Sequence, residues 1–255
     1  MITRRWGPPA LAFGLTLVGW EVLARADTAR TRIVPPPSEV AAALIRSADP
    51  LLRLHIPTTL LEAVIGLLVA LVLGVALAAL LDFFPLLRRA VYPLLVVSQT
   101  IPIVAIAPVL ILILGFGIWP KVAVVALFGF FPIAVAMVDG LTGTDPDLIA
   151  LLRAMGATRQ QIWRKVRLPS ALPSLFSGVR IAAAYAIGGA IIGEYVTAQY
   201  GLGQYLRTAF NQARIDQGFG AAGIAAALSV GMVGLVSLIE RLSLRWYYAR
   251  QTHWE

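Results

Sequence analysis

The sequence contains no cysteine and only two histidines, which excludes several kinds of functional site. Without cysteine there is no disulfide framework, no thiolate zinc site and no thiol nucleophile. The histidines, His55 and His253, are far apart in the chain and lie outside its apolar runs. A histidine-based metal site is therefore not expected, and no metal ligands are predicted.

Charge is also scarce, because only 13% of the 255 residues are charged whereas 59% are hydrophobic. A soluble domain of this length would carry roughly a quarter charged residues. Several apolar runs are long enough to cross a bilayer, where the backbone must satisfy its own hydrogen bonds. The sequence therefore predicts an all-α polytopic membrane protein, with six transmembrane helices in one domain covering residues 1–255.

The predicted spans are separated by short polar, proline-rich or glycine-rich segments. They cover residues 10–23, 58–81, 91–114, 119–138, 175–197 and 219–238. After the first span, the prolines at 35–37 favour an extended segment, and Ser38 is expected to cap a short helix ending at Ile45. Residues 82–89 are interpreted as a polar turn and residues 200–217 as a loop.

The formal net charge is +8, which in a soluble protein would suggest nucleic-acid binding. No polar domain interleaves basic and aromatic residues, so we expect no nucleic-acid partner. With the N-terminus placed inside, twelve of the 21 Lys and Arg residues lie in inside segments and eight in outside ones. This bias predicts a multi-pass protein of the inner (plasma) membrane with both termini in the cytoplasm.

The longest polar interruption in the second half of the chain, residues 145–173, has the pattern of two short helices joined at a glycine. Asp145 is a favourable N-cap with proline after it, and Leu148, Leu151, Leu152 and Met155 follow at helical spacing. Gly156 is a C-terminal stop that can adopt positive φ. Thr158 and Gln161 form a T-x-x-Q capping box that starts a second, basic helix, which is expected to end at Leu168 and Pro169.

This stretch resembles the cytoplasmic coupling loop, or EAA loop, of ABC importer permeases. The resemblance rests on the pattern G-x9-[I/V]-x-L-P, filled by Gly156, Val166, Leu168 and Pro169, and on the following A-L-P-S-L-F-S-G-V-R-I-A. The sequence departs from the family at residues 150–152, which are Ala-Leu-Leu rather than Glu-Ala-Ala, so the family's acidic contact to the ATPase is missing. A plain amphipathic loop lying on the membrane is the alternative, but it does not explain the spacing.

The resemblance implies a transporter subunit rather than an enzyme, driven by ATP that a separate ATP-binding cassette subunit binds and hydrolyses. This chain has no phosphate-binding loop and needs no cofactor of its own. The implied partners are that ATPase, an extracytoplasmic substrate-binding protein and a second copy of the chain in a homodimer. The residues implied to couple to the ATPase are Arg153, Gly156, Ala157, Arg159, Val166, Leu168 and Pro169.

The third predicted span is interrupted by prolines and polar residues, which makes it the best candidate for the translocation pathway. It carries Ser98, Gln99 and Thr100 directly before Ile101 and Pro102. Prolines free backbone carbonyls, which is tolerated in a membrane only where protein or a water cavity satisfies them. The alternative is that these polar side chains only make hydrogen bonds in helix packing.

Two acidic residues, Glu62 and Glu194, lie within apolar runs near their predicted outer ends. An intramembrane carboxylate usually faces a bundle interior or an aqueous cavity, but near a span end it can also snorkel to the interface. Glu194 precedes the Gly201-Leu202-Gly203 loop, as in the resembled family, and is interpreted as an outer-gate residue. For Glu62 the functional and snorkelling alternatives remain open.

The nature of the cargo is the least determined expectation. The spans offer few buried cations for an anion but many aromatic rings, and Gln99 could hydrogen-bond a ring nitrogen. The segment from Ser98 to Pro108 resembles hydroxymethylpyrimidine permeases, which implies a thiamine-precursor pyrimidine as cargo. The alternatives are a permease for sulfonate, taurine or nitrate, an uncoupled channel or scaffold, and an integral membrane enzyme. The enzyme would require a cluster of His, Asp or Glu at one membrane face.

Overall fold

The computed structural model describes residues 3–26, 33–197 and 199–247, and these residues form an all-helical bundle without strands. Twelve α-helices follow one another along the described residues. They are α1 (Thr3–Ala26), α2 (Pro37–Arg46), α3 (Ala48–Pro50), α4 (Ile56–Phe83), α5 (Pro85–Ser98), α6 (Ile103–Leu114), α7 (Trp119–Thr142), α8 (Pro146–Ala154), α9 (Arg159–Ile162), α10 (Leu168–Thr197), α11 (Leu202–Asn211) and α12 (Ile215–Ser243), with π-helical turns at Leu51–His55 and Trp163–Arg167.

Five helical stretches are long and apolar enough to cross a membrane, and the bent pair α5–α6 makes a sixth if it counts as one span. The all-α, polytopic prediction is therefore confirmed. The two members of the pair meet at an angle of 103°. Pro102 explains the break, because it lacks an N–H and disfavours helical geometry at the residue before it.

The core lies where α10 packs against α7 and α4, and small residues allow the helix backbones to approach closely. A Cβ added at Gly178 would lie 2.7 Å from the carbonyl oxygen of Pro132, and one at Gly193 would lie 3.0 Å from the Cα of Lys121. Neither position has room for a side chain. Ile133 and Ile187 fill the buried cluster between these contacts. Glycine at these two positions therefore allows the helix backbones to pack in close contact.

Several boundaries expected from the sequence are wrong. Residues 82–89 are not a turn, since α4 extends to Phe83 and α5 begins at Pro85. The N-cap of α2 is Pro36 rather than Ser38, whose hydroxyl instead donates a hydrogen bond to Glu21 at 2.8 Å. The 200–217 segment is not a loop throughout, because it contains α11. The first two errors concern helix ends, and the third is a helix that the sequence did not predict.

The second coupling helix also does not end at Leu168 and Pro169. It continues through the π-helical turn into α10, which runs to Thr197 and contains Pro173. A π-turn widens the backbone and can place a proline near the start of the next helical segment without breaking the chain of helices. The coupling segment, residues 145–173, is therefore joined to a membrane-spanning helix by continuous helical backbone.

Candidate functional site

The turn within the coupling segment has the geometry expected from its sequence. Asp145 accepts a hydrogen bond from the backbone N–H of Asp147 at 2.9 Å, and Gly156 has a φ of +82°. Thr158 and Gln161 form a complete capping box, with Thr158 N–H donating to Gln161 Oε1 at 2.8 Å. The predicted helix–glycine–helix shape is confirmed, since these local hydrogen bonds satisfy the free ends of two short helices.

The first coupling helix, α8, presents apolar side chains away from the bundle. Leu151 is 58% exposed and Met155 is 74% exposed, whereas Ile149 on the opposite side is buried. Arg153 and Gly156 are exposed beside them, and Ala157 is half-buried. Exposed apolar side chains at this polar end of the bundle mark a candidate contact surface.

The second coupling helix is fastened to the end of α4 by two arginines. The Arg167 guanidinium donates to Asp82 Oδ1 at 2.6 Å, and Arg159 donates to the carbonyl oxygen of Phe83 at 2.7 Å. Arg159 also lies over the Phe83 ring, whose centroid is 5.5 Å from that of Trp163. Arg159 thus contacts the bundle rather than projecting freely. The other residues predicted to couple to the ATPase are half-buried where α9 continues into α10: Val166, Leu168 and Pro169.

The pathway candidates lie together at the bend between α5 and α6. Ser98 and Thr100 donate their hydroxyl hydrogens to the carbonyl oxygens of Leu95 and Val97, each at 2.8 Å. Gln99 and Thr100 are exposed on the bundle, and Pro102 is the N-cap of α6. These local bonds satisfy backbone groups at the bend and leave the Gln99 amide on an open surface.

Glu194 lies at the opposite end of the bundle from the coupling segment, in a group of residues that we call the Glu194 cluster: His55, Thr59, Glu194 and Gly201–Gly203. The Glu194 carboxylate accepts hydrogen bonds from the Thr59 hydroxyl and the Gly203 N–H, both at 2.6 Å. Thr59 in turn accepts from Leu202 N–H at 2.9 Å, and His55 Nδ1 lies 2.9 Å from the Gly201 carbonyl oxygen. One carboxylate therefore joins α4, α10 and the start of α11.

Glycine is required at the start of this loop. Gly201 has a φ of +115°, and a Cβ there would collide with the Glu194 carboxylate. A Cβ at Gly203 would collide with the carbonyl oxygen of Ile191. The G-L-G sequence is thus explained by close approach of the loop backbone to α10.

A buried ion pair lies beside the Glu194 cluster. Lys121 Nζ is 2.7 Å from Glu62 Oε1, and the two side chains are only 9% and 2% exposed. The side chain of Glu194 in the neighbouring cluster likewise has no exposed surface. Neither glutamate snorkels, because both are enclosed by protein; for Glu62 the partner is Lys121, which the sequence did not reveal.

Sequence reasoning missed the residues that hold these sites in place. Asp82 and Thr59 contribute the partners of Arg167 and Glu194, and they lie 85 and 135 positions away in the chain. Tyr92 likewise donates to Asp139 at 2.8 Å across α5 and α7. Only the polarity of these residues in or beside apolar runs could have marked them. Among the described residues, no group of three or more His, Asp or Glu side chains could hold a metal ion.

Comparison with known proteins identifies the kind of molecule to which this arrangement belongs. The model of the family described as binding-protein-dependent transport system inner membrane component matches residues 70–246. The formylaminopyrimidine transport permease protein ThiX of Halalkalibacterium halodurans is 38% identical over 244 residues, covering 93% of this chain and 95% of ThiX. The putative aliphatic sulfonates transport permease protein SsuC of Bacillus subtilis is 27% identical over 246 residues, covering 94% of this chain and 88% of SsuC.

Comparison with solved structures also points to an ABC transporter. The solved inward-facing structure of the MetNI methionine ABC transporter matches with a TM-score of 0.60 and 25% identity, over 80% of this chain and 95% of that chain. The family model covers the whole coupling segment. Of the Glu194 cluster it covers Glu194 and Gly201–Gly203, whereas His55 and Thr59 lie before the matched residues. The chain therefore belongs to the binding-protein-dependent transport family and is a permease subunit of the ABC importer type.

Proposed function

We propose that this permease imports a small pyrimidine, a precursor of thiamine, using ATP hydrolysed by a separate cassette subunit. The observation that carries the coupling role is the capped helix–Gly156–helix segment with its exposed Leu151 and Met155. The cargo is supported by the 38% identity to a formylaminopyrimidine permease, against 27% to a sulfonate one.

In this proposal the ATPase docks on residues 145–169 in the cytoplasm, and a binding protein delivers cargo to the end that carries the Glu194 cluster. Arg153 and the exposed apolar side chains of α8 would contact the ATPase. Arg167 and Arg159 would transmit the movement to α4 through Asp82 and Phe83. Two copies of the chain in the plasma membrane would enclose the pathway, with Ser98, Gln99, Thr100 and Pro102 beside it.

The cargo experiment uses the cognate binding protein and the assembled transporter in proteoliposomes. The binding protein is titrated with formylaminopyrimidine, hydroxymethylpyrimidine, thiamine, taurine, an alkanesulfonate and nitrate, and each ligand is then tested for stimulation of ATP hydrolysis. We expect stimulation by a pyrimidine. Stimulation by a sulfonate or nitrate, with no response to any pyrimidine, would reject the cargo and leave the importer function intact.

Glu194 is proposed to act in the outer gate, because its carboxylate is the acceptor that joins α4, α10 and α11. Glu194→Gln keeps one carbonyl oxygen but removes the charge, so one of the two short hydrogen bonds is weakened. We expect altered basal ATP hydrolysis or altered stimulation by the binding protein. Asp49→Asn, which removes an exposed carboxylate at the same end of the bundle, is the control. Unchanged hydrolysis and transport in Glu194→Gln would leave this residue a purely structural role.

A further inference from the structure

One face of α10 is left open by the rest of the bundle. Ile181, Ala184, Tyr185 and Gly188 are exposed, and their spacing places them on one side of the helix. Tyr185 is 54% exposed, and its ring stacks on that of Phe128 from α7, with centroids 6.3 Å apart and an interplanar angle of 27°. A Cβ added at Gly188, about one turn further along, would meet nothing within 4 Å. The result is an aromatic surface with free space beside it.

This surface lies near the middle of the membrane-spanning part of the bundle. The predicted fifth span begins at Leu175, ten residues before Tyr185. Ten helical residues correspond to about 15 Å, which is half of a hydrocarbon core of about 30 Å. Its hydroxyl makes no hydrogen bond with another described residue. Because lipid tails cannot satisfy a hydroxyl group, a tyrosine at this depth favours a face turned toward protein or an aqueous cavity.

The other side of α10 has the opposite character. There α4, α10 and α12 enclose an apolar groove of about 340 Å³, lined by residues such as Leu68, Leu175 and Met232. Beside the open face, in contrast, Arg180 pairs with Glu240 at 3.0 Å and donates to Ser177 at 3.1 Å. Arg180 and Glu240 also line a recess of about 540 Å³, together with Ser237 on α12. The apolar groove at Leu175 and the exposed face at Tyr185 therefore lie on different sides of α10.

We propose that Tyr185 and Phe128 form a contact site for the planar heteroaromatic ring of the cargo, midway through the membrane. This inference rests on the proposed function, which supplies a pyrimidine as the occupant. Offset stacking on the Tyr185 ring suits a flat ring, and the free hydroxyl can hydrogen-bond a ring nitrogen or an exocyclic amine. The open space at Gly188 admits the ring without displacing a side chain.

The test measures uptake of radiolabelled pyrimidine by proteoliposomes containing the permease, its ATPase and its binding protein. Tyr185→Leu removes both the stacking and the hydroxyl group, and we expect uptake to fall about three- to tenfold. Tyr185→Phe keeps the stacking and should lose about two- to threefold. Gly188→Val fills the free space and should also reduce uptake.

Tyr195→Leu is the matched control, because Tyr195 lies on the same helix and is 46% exposed but makes no aromatic stack in the described structure. Its uptake should equal that of the wild type. Wild-type uptake in Tyr185→Leu and Gly188→Val would reject the site while leaving the pyrimidine cargo in place. Loss of the dimer in these variants, measured by light scattering, would make the face an interface between copies and would also reject the site. A wild-type transporter that imports a sulfonate and no pyrimidine would reject both proposals.

Discussion

At the end of the bundle opposite the coupling segment, the role of Thr59 follows from its hydrogen-bond partners. Thr59 is completely buried, donates its hydroxyl hydrogen to Glu194 and accepts the N–H of Leu202. The hydroxyl group therefore satisfies one carboxylate oxygen and one backbone donor at once. A buried polar atom that loses its partner bears its full desolvation cost, so this threonine contributes more than its size suggests.

Thr59→Val is predicted to destabilise the protein by about 1–3 kcal/mol, because the substitution leaves the Glu194 carboxylate and the Leu202 N–H without this partner. The measurement is thermal unfolding in detergent, followed by circular dichroism. Thr58→Val is the control, since the neighbouring Thr58 is only half-buried and its hydroxyl donates to the Leu54 carbonyl oxygen, one turn earlier in the chain. Equal midpoints for the two variants would contradict a structural role of the Thr59 hydroxyl.

At this scale the sequence indicates the unusual residue but not its partner. Glu194 is conspicuous because a carboxylate within an apolar run is costly. Thr59 is not, because threonine within a membrane helix commonly bonds the preceding turn of its own backbone. The two meet only because α4 and α10 pack together, which depends on the whole bundle. The same holds for Lys121, whose pairing with Glu62 brings a cation from α7 to a carboxylate on α4.

At the scale of helices, the coupling segment combines a free outer surface with a fixed inner one. Its turn depends on Gly156, whose φ of +82° favours glycine and whose surroundings are open. Its second helix depends on Arg167 and Arg159, which hold it against the end of α4. This attachment is the route by which the proposed ATPase would move a membrane-spanning helix.

Gly156→Arg is predicted to abolish transport while the protein still inserts into the membrane. The left-handed backbone costs a non-glycine residue roughly 1–2 kcal/mol, and the long side chain would obstruct the surface proposed for the ATPase. Gly156→Asn separates the two effects, because asparagine tolerates this conformation and is shorter; it should retain much of the activity. Transport assays on membranes with equal amounts of each variant make the comparison. Wild-type transport by Gly156→Arg would show that this turn is not at the docking surface.

Arg167→Ala is predicted to weaken the link between the coupling segment and α4. The substitution leaves the largely buried Asp82 carboxylate without its ion-pair partner at 2.6 Å. We expect basal ATP hydrolysis to persist and its stimulation by loaded binding protein to fall severalfold. Arg164→Ala is the control, since Arg164 is exposed and only three positions away. If both variants respond to cargo like the wild type, the Arg167–Asp82 pair does not transmit the movement.

Helix ends in this protein can be predicted where the sequence signal is local, and the predictions are wrong where it is not. Asp145, Gly156 and the Thr158–Gln161 box act through neighbours within three residues, so their pattern alone specifies the turn. In contrast, the loop predicted for residues 200–217 is wrong, because Leu202, Tyr205 and Ala209 recur at helical spacing and the segment contains α11. Gly201 and Gly203 serve contacts with Glu194 and Ile191, which lie on another helix.

At the scale of the whole molecule, hydropathy and length were sufficient for the class of fold, since each span must satisfy its own backbone hydrogen bonds. They were not sufficient for the shape of the third span, where the prolines predicted an interruption but not a bend of 103°. Nor could they distinguish the apolar groove of α10 from its open aromatic face. That distinction arises only after α4, α7 and α12 have covered the remaining sides of the helix.

The orientation of the molecule gives the last prediction, which concerns the two ends of the bundle. The distribution of Lys and Arg predicts that the coupling segment is in the cytoplasm and the α11 segment outside. Gln161 and Gln212 lie in these two segments and both are exposed. Because the chain has no cysteine, Gln161→Cys and Gln212→Cys each provide a single labelling site without further changes.

An impermeant maleimide added to intact spheroplasts should label Gln212→Cys but not Gln161→Cys. After permeabilisation both should react, which controls for a thiol that is hidden by folding rather than by the membrane. The unmodified chain should remain unlabelled throughout. Labelling of Gln161→Cys from outside would reverse the orientation and would place the proposed ATPase surface on the side of the membrane that has no ATP.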